Sequence, residues 1–211
     1  MTRKTLLSLA ATFFLLVVMG LVSWRRFDLP AQELVTVIDQ NQSSHQTGAT
    51  LSRGAIIETG EQEYLAIRIG NDLLITLDQK TRLELHRLFT DERIIRFTRG
   101  RIVIHNSSTD PLLVETRKTE HLVSKATVAF INYDFKQLVT IAPLVGSVQS
   151  HIKGEKDYLL VPRPITISEN DYPILSKTEF NTSTEPSADF HAWSTHVFES
   201  IMPPPTTTDP S

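Results

Sequence analysis

Hydrophobic and polar residues follow two patterns along the chain. From Thr5 to Trp24 the residues carry no charge and are mostly apolar, whereas from residue 51 to about residue 168 short runs alternate apolar with polar residues. Alternation of period two is typical of β-strands, because successive side chains point to opposite faces. In residues 64–69 and 73–77 the apolar side chains share one face, and the turn at residues 70–72 predicts a hairpin.

The same alternation predicts roughly a dozen short strands. Besides the hairpin they lie at residues 82–88, 93–98, 101–105, 112–116, 121–124, 127–133, 138–142, 146–151, 158–161 and 165–168. Apolar faces this narrow cannot be buried singly, so the strands must stack. The expected fold class is therefore mainly β: an antiparallel β-sandwich, a flattened barrel or a short β-solenoid-like domain.

The uncharged segment from Thr5 to Trp24 predicts a transmembrane helix. About 20 helical residues span the roughly 30 Å hydrocarbon core of a bilayer, and an indole at Trp24 suits the boundary with the headgroups. A cleaved signal peptide is the alternative, but its apolar core usually has about 7–15 residues followed by small ones. Leu21, Val22 and Trp24 make a poor cleavage site. The sequence therefore favours an uncleaved anchor in the lipid bilayer.

Orientation and charge place the rest of the chain outside the cytoplasm. A four-residue head, residues 1–4, is easily left in the cytoplasm, while long following domains are translocated largely regardless of charge. We therefore predict a single-pass protein of the inner membrane whose bulk is periplasmic or extracellular. Without the bases at positions 3, 4, 25 and 26, the chain keeps 17 Lys and Arg against 24 Asp and Glu. A net negative surface disfavours nucleic acid as a partner.

The remaining segments complete the expected domain organisation. Residues 25–50 read as a juxtamembrane stem with one β-like patch at 34–38, and residues 51–168 as the β domain. Residues 169–202 read as a linker and a short amphipathic helix, and the proline- and threonine-rich residues 203–211 as a disordered tail. The helix is predicted from Phe190, Trp193, Val197 and Ile201, whose spacing puts them on one stripe that would dock on the β domain.

Residues 51 to about 150 resemble the periplasmic domain of the FecR family. The resemblance is carried by segments in the family's order and spacing: Thr59-Gly60, IGNDLLITLDQKTRLEL (69–85), RGRIVIH (99–105), LVET (113–116), ATVAF (126–130) and LVTIAPLVGSV (138–148). Ala126 stands where the family usually has glycine. Because alanine has a steric cost at positive φ, this argues against a left-handed backbone there.

The family relays signals from outer-membrane receptors to cytoplasmic sigma factors, and the resemblance implies an envelope β domain that binds, scaffolds or senses a partner. Family regulators carry a helical anti-sigma module before the membrane helix, whereas only residues 1–4 precede it here. Four residues cannot grip a sigma factor, so the resemblance is not expected to extend to that regulatory role.

Catalytic spacings are missing, and the sequence predicts neither an enzyme nor a cofactor. There is no cysteine, and no GxSxG, Walker or HExxH motif is present. Ser147 sits inside a strand pattern and reads as structural. His191 and His196 are five residues apart and would point to different helix faces as solvated side chains. The other histidines of the β region lie in separate strands, which disfavours a shared metal site: His86, His105, His121 and His151.

A cluster of arginines is the one candidate binding feature of the β region. Alternation predicts that several of these side chains point outward, where they either keep sheet edges solvated or form a face for an anionic ligand. The candidate partner-binding residues are Arg82, Arg87, Arg93, Arg96, Arg99 and Arg101. The partner we expect is an envelope protein or a glycan rather than a small-molecule substrate.

Two functions are consistent with these features. One is a non-catalytic binding, scaffolding or sensing module of the FecR type. The alternative is an LptC-like bridge for lipopolysaccharide or lipid transport, which also joins one short anchor to a twisted β-sheet domain. A lipid conduit needs an apolar groove left open between its sheets, whereas a signalling module should close it. The interior of the β domain therefore discriminates between them.

Overall fold

The computed structural model describes Met19 and residues 31–170, 174–178, 180 and 188–201. The predicted membrane anchor from Thr5 to Trp24 lies outside the described residues apart from Met19, as does the predicted tail 203–211. No helix within the described part of the chain has both the length and the apolar character needed to cross a membrane. All the elements given below belong to the unit formed by residues 32–211.

The described elements are fifteen strands and one helix. The strands are β1 (Val35–Asn41), β2 (Thr50–Leu51), β3 (Ile56–Glu58), β4 (Tyr64–Ile69), β5 (Leu73–Leu77), β6 (Arg82–Phe89), β7 (Glu92–Asn106), β8 (Leu112–Glu115), β9 (Thr119–Val123), β10 (Thr127–Tyr133), β11 (Leu138–Val145), β12 (Val148–Ile152), β13 (Leu159–Val161), β14 (Ile165–Ser168) and β15 (Ile174–Lys177). The helix, α1, spans Ala188–Ile201.

Two sheets share the long strand β7. Sheet A has the order β3-β6-β7-β8-β9-β12-β13, and sheet B has the order β2-β1-β4-β5-β7-β10-β11-β14-β15. The amino-terminal half of β7 pairs in sheet A and its carboxyl-terminal half in sheet B. Strands β7 and β8 pair in parallel, and the other strand pairs are antiparallel. The wholly antiparallel sheet expected from sequence is corrected at this one pair.

Gly100 explains how one strand serves both sheets. The sequence predicts two strands, 93–98 and 101–105, whereas β7 runs through both with its pairing changing at Gly100, where φ is +101°. A Cβ atom at this position would lie 2.3 Å from Thr81 Oγ1 and 2.5 Å from Thr81 Cα. Only glycine fits such a close approach at positive φ. Ala126 also has a left-handed backbone, at φ +53°, so the expectation from alanine's steric cost was wrong. The tight connection between β9 and β10 imposes it, at a cost of about 1–2 kcal/mol.

Side chains from both sheets form one buried core. Sheet A contributes residues such as Leu85 and Phe97, sheet B contributes Ile75, Ile104 and Ile131, and all of them are fully buried in a single cluster. Alternating strand residues supply these side chains, as expected for two sheets packed face to face. The structure is therefore a β-sandwich rather than a β-solenoid, and its interior is filled.

Helix α1 packs on the outer face of sheet B, as its apolar stripe predicts. Phe190 and Val197 are buried there, and Trp193 packs against Tyr64 with ring centroids 5.3 Å apart. Ser194 Oγ lies 2.7 Å from Thr76 Oγ1 in the sheet beneath. The helix covers the part of this face around β4, β5 and β7. It does not cover the neighbouring side chains of Arg101, Asn132 and Thr140, which line an open cleft.

The β domain begins earlier and ends later than the expected bounds of 51–168. Part of the predicted stem forms β1, which pairs with β4, and residues at 50–51 form β2 beside it. Part of the predicted linker forms β15, which pairs with β14 along Ile165–Ser168. The β-like patch predicted at 34–38 thus belongs to β1, whereas β2 and β15, with two and four residues, are too short for alternation to distinguish them from a spacer.

Candidate binding cleft at the bend of strand β7

The six predicted arginines do not form one continuous face. Three of them lie on sheet A with their guanidinium groups about half exposed, and each is neutralised by a nearby carboxylate. These ion pairs join Arg82 to Glu58 at 2.8 Å, Arg87 to Glu92 at 3.1 Å and Arg96 to Glu115 at 3.1 Å. Exposed pairs of this kind contribute little to stability and leave little net charge for a ligand.

Arg93 lies inside the domain, with 5% of its surface exposed. Its Nε donates to Glu33 Oε2 at 2.7 Å and its Nη2 to Asp72 Oδ1 at 3.1 Å. Burial alone would lower the pKa of Arg93, but the bonds to Glu33 and the charge of Asp72 outweigh it and raise the pKa. This arginine therefore joins β7 to neighbouring segments and is not available on a surface.

Arg99 and Arg101 flank Gly100 and line a cleft of about 580 Å³. Arg99 is exposed, and its Nε donates to the carbonyl oxygen of Lys80 at 3.2 Å. It forms no ion pair with a carboxylate among the described residues. Arg101 is half-buried, and its Nε lies 2.5 Å from Oδ2 of the buried Asp78. Burial raises the pKa of Asp78 despite the opposing effect of Arg101.

The floor of the cleft is a row of polar side chains on adjacent strands of sheet B. Asn132 of β10 is in register with Arg101 of β7 on one side and with Thr140 of β11 on the other. Hydroxyl contacts continue the row, because Thr140 Oγ1 lies 3.0 Å from Thr166 Oγ1, which lies 2.6 Å from Thr178 Oγ1. These side chains are half-buried. The floor therefore offers hydrogen-bonding groups on a rigid sheet.

Aromatic rings stand on two sides of this floor. Phe130 stacks on Phe180 with ring centroids 4.7 Å apart. On the opposite rim Phe135 is 87% exposed, at the tip of the turn between β10 and β11. Asp134 fixes this turn, because its Oδ1 accepts bonds from the backbone N–H of Lys136 at 2.8 Å and of Leu138 at 2.9 Å. The backbone that carries the exposed ring is thus fixed by a structured turn, and Lys136 Nζ lies 5.8 Å from the centroid of the ring.

Residue types that could perform catalysis are instead sealed inside the sandwich. We call them the buried polar network: Ser150 Oγ lies 3.0 Å from His121 Nδ1, His121 Nε2 lies 2.9 Å from Thr119 Oγ1, and Thr119 donates to Glu169 Oε1 at 2.7 Å. Glu169 and His121 have no exposed surface and Ser150 has 3%. Burial lowers the pKa of His121 to about 4. Burial would raise the pKa of Glu169, but hydrogen bonds from Thr116, Thr119 and neighbouring donors lower it.

The remaining histidines do not converge. His105 stacks on Phe198 with centroids 4.1 Å apart, and burial lowers its pKa to about 4. His86 lies beside Glu84 and His151 beside Glu120. His191 is buried beneath Phe130, which corrects the expectation of a solvated side chain, whereas His196 is exposed. No group of three His, Asp or Glu residues within the described ranges is placed to hold a metal ion.

Sequence reasoning identified the two arginines of the cleft but missed its aromatic rim and its polar floor. From the sequence, Asn132 is one residue of the predicted strand 127–133, and no role is predicted for Phe135. One signal was available for Phe135, since a phenylalanine directly after the turn-forming Asp134 has no apolar neighbour in the alternating pattern. No sequence signal indicates the polar floor, because the register between three strands brings its residues together.

Comparisons with known proteins agree with this fold. Residues 55–149 match the family model described as FecR protein. Two crystal structures of a protein from Parabacteroides distasonis, provisionally designated an anti-sigma factor and determined at 1.65 and 2.50 Å resolution, are similar at 16% identity and a TM-score of 0.52. Each alignment covers 66% of this chain and 64% of that protein's chain. None of the curated proteins matches the chain.

The match over residues 55–149 coincides with the segment of 51 to about 150 that the sequence motifs marked out, and it contains β3 to β11 and the start of β12. At 16% identity the solved structures support the fold alone. The cleft residues Arg99, Arg101, Asn132 and Phe135 all fall inside the matched range. The chain therefore carries a FecR-like domain, whose sandwich forms the cleft.

Proposed function

We propose that the chain is a single-pass protein of the inner membrane, anchored from Thr5 to Trp24, whose FecR-like domain lies outside the cytoplasm and acts as a non-catalytic binding or sensing module. The uncharged run from Thr5 to Trp24 supports the anchor, because its length matches the thickness of a bilayer core. The FecR-like domain supports a sensing role. Relay to a sigma factor, which the family resemblance and the designation of the similar crystal structures suggest, is not part of this proposal.

One contrast carries the choice of binding over catalysis. Glu169 and His121 both contact Thr119 and have no exposed surface. Ser150, which contacts His121, is 3% exposed and lines a cavity of only about 150 Å³. Catalysis requires such groups to reach a substrate. The open concavity is lined by Arg99 and Phe135, which can contact a ligand without supplying a nucleophile or a base. Asp134 also lines it, and its carboxylate accepts the backbone hydrogen bonds that fix the turn. The open site is therefore suited to recognition.

The lipid-transport alternative gains no support from the interior of the domain. A conduit of the LptC type needs an apolar groove open between the sheets, whereas this space is filled by fully buried side chains such as Leu65, Ile75 and Phe97. Exposed apolar residues do occur at the outer edge strands β13 and β15, at Leu160 and Leu175. They line a groove of about 880 Å³ at the edge of the sandwich, whereas the space between the two sheets is filled.

Accessibility of a single introduced cysteine tests the proposed topology. The natural sequence has no cysteine, so any labelling reports the introduced residue alone. Ile56 is 52% exposed and its neighbour Ile57 is fully buried, which gives a matched pair, Ile56→Cys and Ile57→Cys. A charged, membrane-impermeant maleimide is applied to cells with a permeabilised outer layer and an intact inner membrane, and then to lysed cells.

We expect Ile56→Cys to be labelled in the intact cells and Ile57→Cys only after denaturation. Labelling of Ile56→Cys solely after lysis would place the domain in the cytoplasm and contradict the proposal. The anchor is tested on the same samples by an alkaline wash of the membranes. We expect the protein to stay with the lipid, and its release would contradict an embedded helix.

A further inference from the structure

The cleft at the β7 bend combines a polar floor, a cationic wall and an exposed aromatic rim, and nothing in the fold itself requires that combination. We propose that this cleft binds an acidic saccharide, that is, a sugar ring carrying a carboxylate. The proposal deepens the binding function given above and rests on it. It names the class of ligand, and each part of the cleft contributes one reason.

The floor favours a polyhydroxylated ligand. Asn132, Thr140 and Arg101 present an amide, a hydroxyl and a guanidinium side by side across three strands. The side-chain amide of Asn132 makes no hydrogen bond to another described residue, although Asn132 is half-buried. Thr140 is bonded to Thr166 and Arg101 is paired with Asp78, so an apolar side chain laid over this row would leave the amide of Asn132 unpaired. Sugar hydroxyls donate and accept hydrogen bonds and would satisfy the row.

The aromatic rim favours a ring with an apolar face. Phe135 is 87% exposed, so its ring contributes almost nothing to the core. Its turn is nevertheless held rigid by the bonds from Lys136 and Leu138 to Asp134. A backbone turn that is ordered before binding loses little entropy when a ligand arrives. The C–H face of a sugar ring can cover such an aromatic surface while its hydroxyls turn toward the floor.

The cationic wall favours a carboxylate on that sugar. The Nε–H group of Arg99 donates a hydrogen bond to the carbonyl oxygen of Lys80, and the guanidinium forms no ion pair among the described residues. A free planar guanidinium matches a carboxylate with two parallel hydrogen bonds. The other cations of the wall are already engaged, since Arg101 pairs with Asp78 and Lys80 with Glu61 at 2.8 Å. Arg99 is therefore the residue that selects an acidic sugar over a neutral one.

Titration calorimetry on the purified full-length chain in detergent tests the assignment with defined probes. The acidic saccharides are tetragalacturonate and a disaccharide containing muramic acid. The methyl ester of tetragalacturonate keeps the rings and removes the charge, and a tetraglutamate peptide keeps the charge and removes the rings. We expect at least one acidic saccharide to bind, with the ester and the peptide each weaker by about tenfold or more, the loss of one principal interaction.

Variants then assign the binding to the cleft. Arg99→Gln is expected to lower the affinity for the acidic saccharide by about tenfold and to leave the affinity for the ester unchanged. Phe135→Ser is expected to lower both affinities. Two control variants make similar changes outside the cleft: Arg87→Gln removes a paired arginine, and Ile56→Ser removes an exposed apolar residue of sheet A. Both controls should bind as the wild type does.

Three results would overturn the assignment. They are no heat of binding from either acidic saccharide, equal binding of the peptide and the saccharide, and unchanged affinity in Phe135→Ser. Equal binding of the peptide would instead indicate an acidic protein segment as the occupant. None of these results alters the outcome of cysteine labelling, so a failure of the ligand assignment is distinguishable from a failure of the proposed topology.

Discussion

The buried polar network and the cleft differ both in the residue types that they contain and in what surrounds those residues. In the network, Glu169 accepts bonds from Thr116 and Thr119 and has no exposed surface. In the cleft, Arg99 and Phe135 face solvent with few partners inside the protein. A buried group whose partners are all present stabilises the fold, whereas an exposed group without them can bind something else. Stability and binding should therefore respond to separate substitutions.

The largest loss of stability is expected at Gly100, where β7 passes from one region to the other. Gly100→Ala places a Cβ atom against Thr81 at positive φ and should reduce the free energy of unfolding by about 3 kcal/mol or more. Gly54→Ala is the control, because its φ is +80° but no atom lies within 4 Å of the new Cβ. It should lose only about 1 kcal/mol. Urea unfolding of both variants compares them, and equal losses would exclude the contact with Thr81 as the cause.

Removing the acid of the buried polar network should come next. Glu169→Ala leaves the hydroxyls of Thr116 and Thr119 and the backbone N–H of Lys118 without their acceptor. We expect a loss of about 3 kcal/mol in urea unfolding, because buried donors lose both the bond and their hydration. Glu199→Ala, at an exposed position of α1, should change stability by less than about 0.5 kcal/mol. A small effect at Glu169 would show that the network is not structural.

Acid should destabilise the domain through its buried histidines. Burial lowers the folded-state pKa of His105 and of His121 to about 4, below the value of 6.5 that is usual for histidine in an unfolded chain. The unfolded state therefore binds more protons between these values, and stability present above pH 6.5 is lost as the pH falls toward 4. His105→Phe, which keeps a ring against Phe198, should reduce this loss by roughly 2 kcal/mol. Urea unfolding at pH 7, 5.5 and 4 measures the free energy of unfolding of wild type and variant. An equal loss of this free energy in both proteins as the pH falls would contradict the assignment to His105.

The smallest effect on stability is expected in the cleft. Arg99→Gln and Phe135→Ser remove side chains that are exposed and that make few contacts within the protein. Their free energies of unfolding should stay within about 0.5 kcal/mol of the wild type. The same urea series measures them. A loss comparable to that of Glu169→Ala would mean that these side chains support the fold, and the contrast between the two regions would fail.

Local pattern predicted much of the sandwich but little of its site. The hairpin of β4 and β5 was placed with its observed bounds, because clean alternation over residues 64–77 needs no distant information. Strand β7 was divided in two, since Arg99, Gly100 and Arg101 together resemble a turn. Arg93 was expected outside, but its partner Glu33 lies 60 residues away. Contacts between distant segments cannot be read from periodicity.

The cleft depends on such contacts throughout. Arg101, Asn132 and Thr140 become neighbours only through the register of three strands, and the parallel pairing of β7 with β8 has no sequence signal. A shift of one residue in that register would turn these side chains into the core. The sequence could thus predict a β domain with an arginine cluster, and the structure was needed to separate Arg99 and Arg101, which line the cleft, from the four arginines that lie outside it.

Photocrosslinking in living cells tests most directly whether this protein binds a component of the cell envelope through its cleft. A photoreactive amino acid is placed at Phe135, and in a second strain at Val145, which is 57% exposed and does not line the cleft. We predict an adduct with an envelope component, a glycan or a protein that carries one, from position 135 and not from position 145. Identical adducts from both positions, or adducts with cytoplasmic proteins alone, would contradict a binding domain outside the membrane with its site at the β7 bend.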